Sequence, residues 1–144
     1  MLYCSPIQAT DTCQLRYLLT DMEIISTTNA PLAVGPYSQA VKVGEFIFTS
    51  GQIPLNPKTG LIVDGGIKEQ TARTIENIKA VLEEEGSDLT KVVKTTCYLK
   101  NIADFAEFNA EYEKHFIGKP ARSCVEVSAL PKGALVEIEA IAKL

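Results

Sequence analysis

Ile67-Lys68-Glu69-Gln70-Thr71-Ala72-Arg73-Thr74-Ile75-Glu76-Asn77-Ile78-Lys79-Ala80-Val81-Leu82, followed by Val92-Val93-Lys94-Thr95-Thr96-Cys97-Tyr98-Leu99, is the passage on which the fold turns. In the first run Ile67, Thr71, Ile75, Ile78 and Leu82 recur at spacings of three and four, which lays one buried stripe along a helix. In the second, Val93, Thr95, Cys97 and Leu99 alternate with their neighbours, the period-two pattern of a half-buried strand. The helix is expected over Asp64–Gly86, with Asp64 capping its start and Gly86 ending it. The strand is expected over Lys91–Lys100. Glu83, Glu84 and Glu85 stand at the wrong end for the helix dipole, which predicts a solvated last turn.

Upstream, Ser38–Val43 and Phe46–Ser50 flank Gly44-Glu45, a two-residue loop that suits a type II′ hairpin turn. Asn56-Pro57-Lys58-Thr59-Gly60 reads as a further turn. Downstream, a second helix is expected over Asp104–Phe116, with Asp104 and Glu107 spaced as a capping box. Its apolar face is Phe105, Phe108, Tyr112 and Phe116, and Asn109 falls on the same stripe. Two last strands, Arg122–Val127 and Ala134–Ala142, are joined by a short turn at Ala129–Gly133. The order β-β-α-β-α-β-β predicts an α+β fold, a mixed sheet with both helices on one face. The uncovered face must be solvated or lie against another subunit. Val136, Ile138, Ala140 and Ala142 share one face of the last strand, and Leu135, Glu137, Glu139 and Ile141 share the other; the first set, or the opposite one, is expected to offer an apolar strip for assembly.

At 144 residues the chain is the size of one domain and should bury roughly 70% of its unfolded surface. A net charge of −4 argues against a generic nucleic-acid surface, which needs clustered lysine and arginine. No apolar run reaches membrane-spanning length and no secretory signal opens the chain, so a cytoplasmic protein is expected. The four cysteines, Cys4, Cys13, Cys97 and Cys124, contain no Cys-x-x-Cys pair, and His115 is the one histidine. A zinc site is therefore not expected, and no phosphate-binding glycine loop suggests a nucleotide cofactor. Met1–Asp21 lacks either period and reads as an appendage, a targeting or regulatory arm being the less favoured alternative, outside a single domain at residues 22–144.

Arg122 and Cys124 share a face of their strand, and Glu137 stands on what should be the neighbouring strand. A guanidinium fork matches a small carboxylate, and a glutamate beside it can position or deprotonate a water. An exposed cross-strand ion pair, worth less than about 1 kcal/mol, accounts for the spacing equally well. Cys124 is more simply an inert thiol than a nucleophile. Gly51, in Ser50-Gly51-Gln52, can admit a ligand to the backbone or merely punctuate a loop; Tyr37 can bind or simply pack. Asn109 either ties down a loop or faces a polar pocket, the structural role carrying more weight.

Taken together, Gly35-Pro36-Tyr37-Ser38-Gln39-Ala40, Thr49-Ser50-Gly51-Gln52-Ile53-Pro54, Gln70–Ala80 with Asn77, Lys94-Thr95-Thr96, Asp104–Tyr112 with Asn109, and Pro120–Val127 through Glu137-Ile138-Glu139-Ala140 resemble the reactive intermediate deaminase family, also called the endoribonuclease L-PSP or translation-inhibitor family. The resemblance runs from about Ile25 to Lys143, and six motifs fall in order. It implies a chorismate-mutase-like fold and a homotrimer whose sheets form a barrel with clefts between subunits. It implies hydrolysis, without a cofactor, of enamine and imine intermediates released by pyridoxal-phosphate enzymes, giving 2-oxo acids and ammonia. By the same resemblance Arg122 holds the substrate carboxylate, and Tyr37, Gly51, Asn109, Cys124 and Glu137 match site positions; Glu137 is then expected to orient the water. The loop between Phe116 and Arg122 is shorter than in some members. Two other readings compete: a ribonuclease or translation inhibitor, disfavoured by the acidic charge, and a binding module for 2-oxo acids without catalysis.

Overall fold

The computed structural model of the chain describes residues 21–144, so the expectation for Met1–Asp21 lies outside the described residues except at Asp21. Six strands form one sheet: β1 (Met22–Ile25), β2 (Ala40–Val43), β3 (Phe46–Thr49), β4 (Val92–Leu99), β5 (Ala121–Glu126) and β6 (Val136–Lys143). Among the described residues there are also two α-helices, α1 (Ile67–Glu83) and α2 (Phe105–His115). The spatial order is β1-β2-β3-β6-β4-β5. Only β4 and β5 run parallel, with α2 as their crossover; every other neighbouring pair is antiparallel. The α+β class and the mixed sheet are as expected.

Strand β1 is an addition to the expected order. Its four residues are mostly exposed and carry no turn signal, so it has no period to detect, and only its pairing with β2 defines it. The β2–β3 hairpin closes through Gly44, which takes a positive φ while Glu45 does not, as a II′ turn requires. Helix α1 starts at Gly66, not Asp64: the Glu69 carboxylate accepts from the Gly66 N–H and supplies the cap. Gly86, with φ of 72°, ends it in a left-handed turn. The capping box expected at Asp104 does not form. Asn101 instead accepts from Ala103 N–H at a preceding 3₁₀ turn, and Glu126 accepts from Ile102 N–H.

The stripe Ile67, Thr71, Ile75, Ile78 and Leu82 is buried, and it widens to take in Gln70, Thr74, Asn77 and Val81. On β4, Thr95, Cys97 and Leu99 point under the helices, but Val93 is exposed and Val92 buried, because a β-bulge between Val92 and Lys94 shifts the register there. Val136, Ile138, Ala140 and Ala142 are also buried under the helices. Of the two sets, this one belongs to the chain's own core. The uncovered face carries Glu137, Glu139 and Ile141, with the substantially exposed Ile24, Phe46 and Phe48 beside them, while Leu135 packs against the core.

Candidate functional site

The residues singled out by sequence fall into two groups on opposite sides of the sheet. The first lies under α2. Phe105, Phe108, Asn109 and Tyr112 recur at helical spacing and present one face to β5. Arg122 projects into it: its Nη1 donates to Asn109 Oδ1 at 2.8 Å. Its guanidinium carbon lies 4.7 Å from the Tyr112 ring centre, 5.5 Å from Phe105 and 5.9 Å from Phe108. Planar stacking over aromatic faces is a property of arginine that lysine does not share. Tyr112 is fixed in turn by a 2.7 Å hydrogen bond between its hydroxyl and that of Thr95, the residue beside Arg122 on β4. Arg122 has no ion-pair partner among the described residues, so its remaining donors point at nothing charged.

Cys124 shares this face and stands opposite Cys97 on β4. Burial pushes the Cys97 thiol up to about 12, and burial also raises that of Cys124, against a smaller opposing pull from Arg122. Both are protonated at neutral pH, which fits packing and not nucleophilic attack. Asn109 is thus neither a loop tie nor a bystander: it orients the arginine.

The second group lies on the uncovered face. Glu137 projects from β6 there. Gln52 pairs with Ile138 in both directions, at 2.8 and 3.0 Å, which brings Gly51 against Glu137. A Cβ on Gly51 would collide with the Glu137 carboxylate, so glycine is needed here for close approach and not for an unusual φ. Tyr37 is half exposed, and its hydroxyl accepts from Val34 N–H at 3.2 Å, which shapes the turn around it. These residues line a groove of about 820 Å³ with Leu32, Lys132 and Glu139. Burial, and then the charge of Glu139 two residues on, raises the Glu137 carboxyl above the usual carboxylate range. Glu137 too has no ion-pair partner among the described residues.

One expectation is corrected. Strand β6 is not the neighbour of β5; β4 lies between them. Arg122 aligns with Thr95 and Glu137 with Tyr98, an odd separation along β4, so the two side chains leave opposite faces of the sheet. Within one chain the structure brings together Arg122, Asn109 and Cys124, and separately Glu137, Gly51 and Tyr37, but not the two sets. Sequence reasoning also missed the aromatic cradle of Arg122 and the place of Glu139 and Lys132 in the groove. The i, i+3, i+4, i+7 spacing of Phe105, Phe108, Asn109 and Tyr112, and the shared parity of Glu137 and Glu139, were the available signals. Among the described residues no cluster of three His, Cys, Asp or Glu is disposed to hold a metal ion, and no helix is long and apolar enough to cross a membrane.

Residues 27–144 match the family model described as Endoribonuclease L-PSP. A RutC family protein of Pyrococcus abyssi is 61% identical over 121 residues, which span 83% of this chain and 95% of that relative. A protein of Salmonella typhimurium named 2-iminobutanoate/2-iminopropanoate deaminase is 48% identical, over 82% of this chain and 94% of its own. The crystal structure of RidA from an Antarctic Psychrobacter superposes with a TM-score of 0.81 at 44% identity, covering 85% of this chain and 99% of that one. The chain therefore belongs to the RidA-type endoribonuclease L-PSP family that its motifs resemble.

Proposed function

We propose that this protein hydrolyses 2-imino acids such as 2-iminopropanoate and 2-iminobutanoate, and their enamine tautomers, to 2-oxo acids and ammonia, in clefts shared between the subunits of a homotrimer. One observation carries the reading. A partly buried guanidinium and a partly buried carboxylate, neither with an ionic partner among the described residues, project from opposite faces of one sheet. Withdrawing a charge from water without a partner is costly, so each calls for a counterpart from outside its own chain. Arg122 of one copy set against Glu137 of another forms a cleft that fits a small acid with a reactive carbon beside its carboxylate. The 48% identical Salmonella relative bears the name of this activity.

In that cleft Arg122, held in plane by Asn109 and its aromatic bed, grips the substrate carboxylate through paired N–H donors. The imine carbon then lies near Glu137, which orients a water against it and accepts its proton. The tetrahedral carbinolamine collapses, its nitrogen leaves as ammonia, and the carbonyl of the 2-oxo acid remains. The imine carbon is already electrophilic, so the chain has mainly to position the reactants. Gly51 and Tyr37 fix the ligand on the Glu137 side, and Cys124 contributes packing. The substrates link the protein to pyridoxal-phosphate enzymes, whose eliminations release such imines, and the reading places it in the cytoplasm with them.

The trimer is supported by the uncovered sheet face, where Met22, Ile24, Phe46 and Phe48 are 59%, 66%, 39% and 41% exposed. A contiguous apolar face of this kind favours a subunit contact in solution. The decisive experiment measures ammonia release from 2-iminobutanoate generated in situ, with light scattering on the same sample. Accelerated release by a trimer is expected. Release no faster than in buffer, or full activity from a monomer, overturns the reading.

A further inference from the structure

The groove around Glu137 is walled by segments outside regular structure, yet two of those walls are tied to buried carboxamides that sequence motifs singled out and the proposed reaction does not use. Gln39 is 3% exposed and stands just before β2. Its Oε1 accepts from Thr27 N–H at 2.7 Å, and its Nε2 donates to the carbonyls of Thr27 at 3.0 Å and Pro31 at 2.7 Å, with Ala30 at 3.4 Å sharing the donor. Its own carbonyl accepts from Ser50 N–H at 2.8 Å, one residue before Gly51. Gln39, which also reaches the groove, thus joins the 27–31 segment, whose Pro31 lines the groove, to the backbone that faces Glu137.

Asn77 is fully buried on α1. Its Nδ2 donates to the carbonyls of Ile53 at 3.1 Å and Leu55 at 2.9 Å, two groove-lining residues that follow directly on Gly51-Gln52. Its Oδ1 has no partner among the described residues. A buried acceptor left unpaired is unfavourable, and an apolar residue of the same size would avoid it. What asparagine supplies here is therefore its two N–H donors, and both go to one wall of the groove.

We propose that Gln39 and Asn77 are positioning residues of the Glu137 groove: their buried carboxamides hold the walls at Pro31 and at residues 53–55 in the ligand-binding arrangement before a ligand enters. The inference rests on the proposed imine-binding role of that groove. A preset wall lowers the cost of ordering on binding, so its loss weakens ligand affinity beyond any loss of overall stability.

The test compares Gln39→Met, Asn77→Leu and Asn77→Asp with the wild type, at a temperature well below every melting point. Two readouts are taken: the affinity for 2-oxobutanoate by NMR titration, and kcat and KM for 2-iminobutanoate. Each variant is expected to weaken 2-oxobutanoate binding and raise KM by about tenfold, with kcat changed by less than about threefold. Asn77→Asp keeps the shape but leaves at most one donor, the O–H of a protonated carboxyl, for two carbonyls, so it should shift in the same direction as Asn77→Leu. Affinity and KM within about twofold of wild type in folded variants, or a wild-type KM in Asn77→Asp, overturn the proposal. If Asn77→Leu fails to fold, the Gln39→Met and Asn77→Asp results decide. The oxo-acid titration does not depend on turnover: a wild type that binds 2-oxobutanoate but releases no ammonia removes the deaminase reading and leaves this proposal to be judged on affinity. A wild type that neither binds nor turns over removes both.

Discussion

The surroundings of Arg122 and of Glu137 differ in how they are built. Arg122 sits under a helix, between a strand and an aromatic bed, with its plane set by Asn109 at 2.8 Å. Glu137 sits on the uncovered face, in a groove walled by the segments around Pro31, Gly51 and Lys132. The arginine side is made rigid by regular structure, whereas the carboxylate side takes its form from loop backbone held by side-chain amides. A guanidinium needs a fixed plane to present paired donors. A carboxylate that handles water needs a shaped space, and loops supply shape more readily than strands do.

The sharpest way to break this comparison is at Arg122. Arg122→Ala should reduce deamination by at least about a thousandfold while thermal melting stays near wild type, because the anchor for the substrate carboxylate is gone. Arg122→Lys should be nearly as poor, since an ammonium reproduces neither the fork nor the stacking. Wild-type turnover by the lysine variant would end the bidentate model. If each cleft draws its arginine and its glutamate from different copies, unfolding and reassembling Arg122→Ala with Glu137→Gln in equal amounts should restore about a quarter of the wild-type sites. No recovery in verified mixed assemblies would show that the two regions do not work across a subunit boundary.

Glu137→Gln comes next. Turnover should fall by about a hundredfold with 2-oxobutanoate affinity kept within a few-fold, the pattern of a lost water-handling group. Loss of binding as well would make Glu137 a structural partner of the arginine. The raised carboxyl also has a sign that can be checked. The rate should decline on acidification through a pKa above the usual carboxylate range, because the ionised form accepts the proton. For stability the direction is opposite. The folded state binds this proton more tightly than the unfolded state, so the stabilisation is complete below the unfolded pKa and is lost as pH rises through the folded one. Glu137→Gln should therefore melt higher than wild type at neutral pH, the gap closing towards about pH 4. A lower melting point for the glutamine variant at pH 7 would contradict burial as the cause.

Gly51→Ala sharpens the carboxylate side alone. The added methyl must displace the Glu137 carboxylate, and a loss of about tenfold in kcat/KM is expected without a change in Arg122-dependent carboxylate binding. Unchanged kcat/KM would mean that the carboxylate can move without consequence. The smallest effect belongs to Cys124→Ser, which should keep activity within about threefold because the thiol is protonated and only packs. Inactivity in a folded serine variant would revive covalent attack.

Much of the architecture was legible in the chain because it is written in local periods. The three- and four-residue spacing of Ile67, Thr71, Ile75, Ile78 and Leu82 marked α1, and the parity of Val136, Ile138, Ala140 and Ala142 separated the two faces of β6. Where local signals were weak, the reading failed in ways that have causes. Strand β1 is four residues on a sheet edge, and a bulge overturned the parity of Val93. Asp64 lost the cap to Gly66 because Glu69 reaches back to the first free N–H of the helix. Arg122, Asn109 and Glu137 stood out as polar groups at marked places in motifs, whereas Glu139 and Lys132 did not, because their place in the groove is set by strand pairing and loop packing.

By itself, then, the sequence determined the class of the fold, the helix that dominates the core, and the residue types able to grip a carboxylate and handle a water. Only the tertiary structure decided that Arg122 and Glu137 leave opposite faces. Parity along a single strand is a local property, set by the alternation of side chains about one backbone. Strand order is not local: β6, last in the chain, inserts between β3 and β4, and that long-range pairing places β4 between the two charges and sets their relative register.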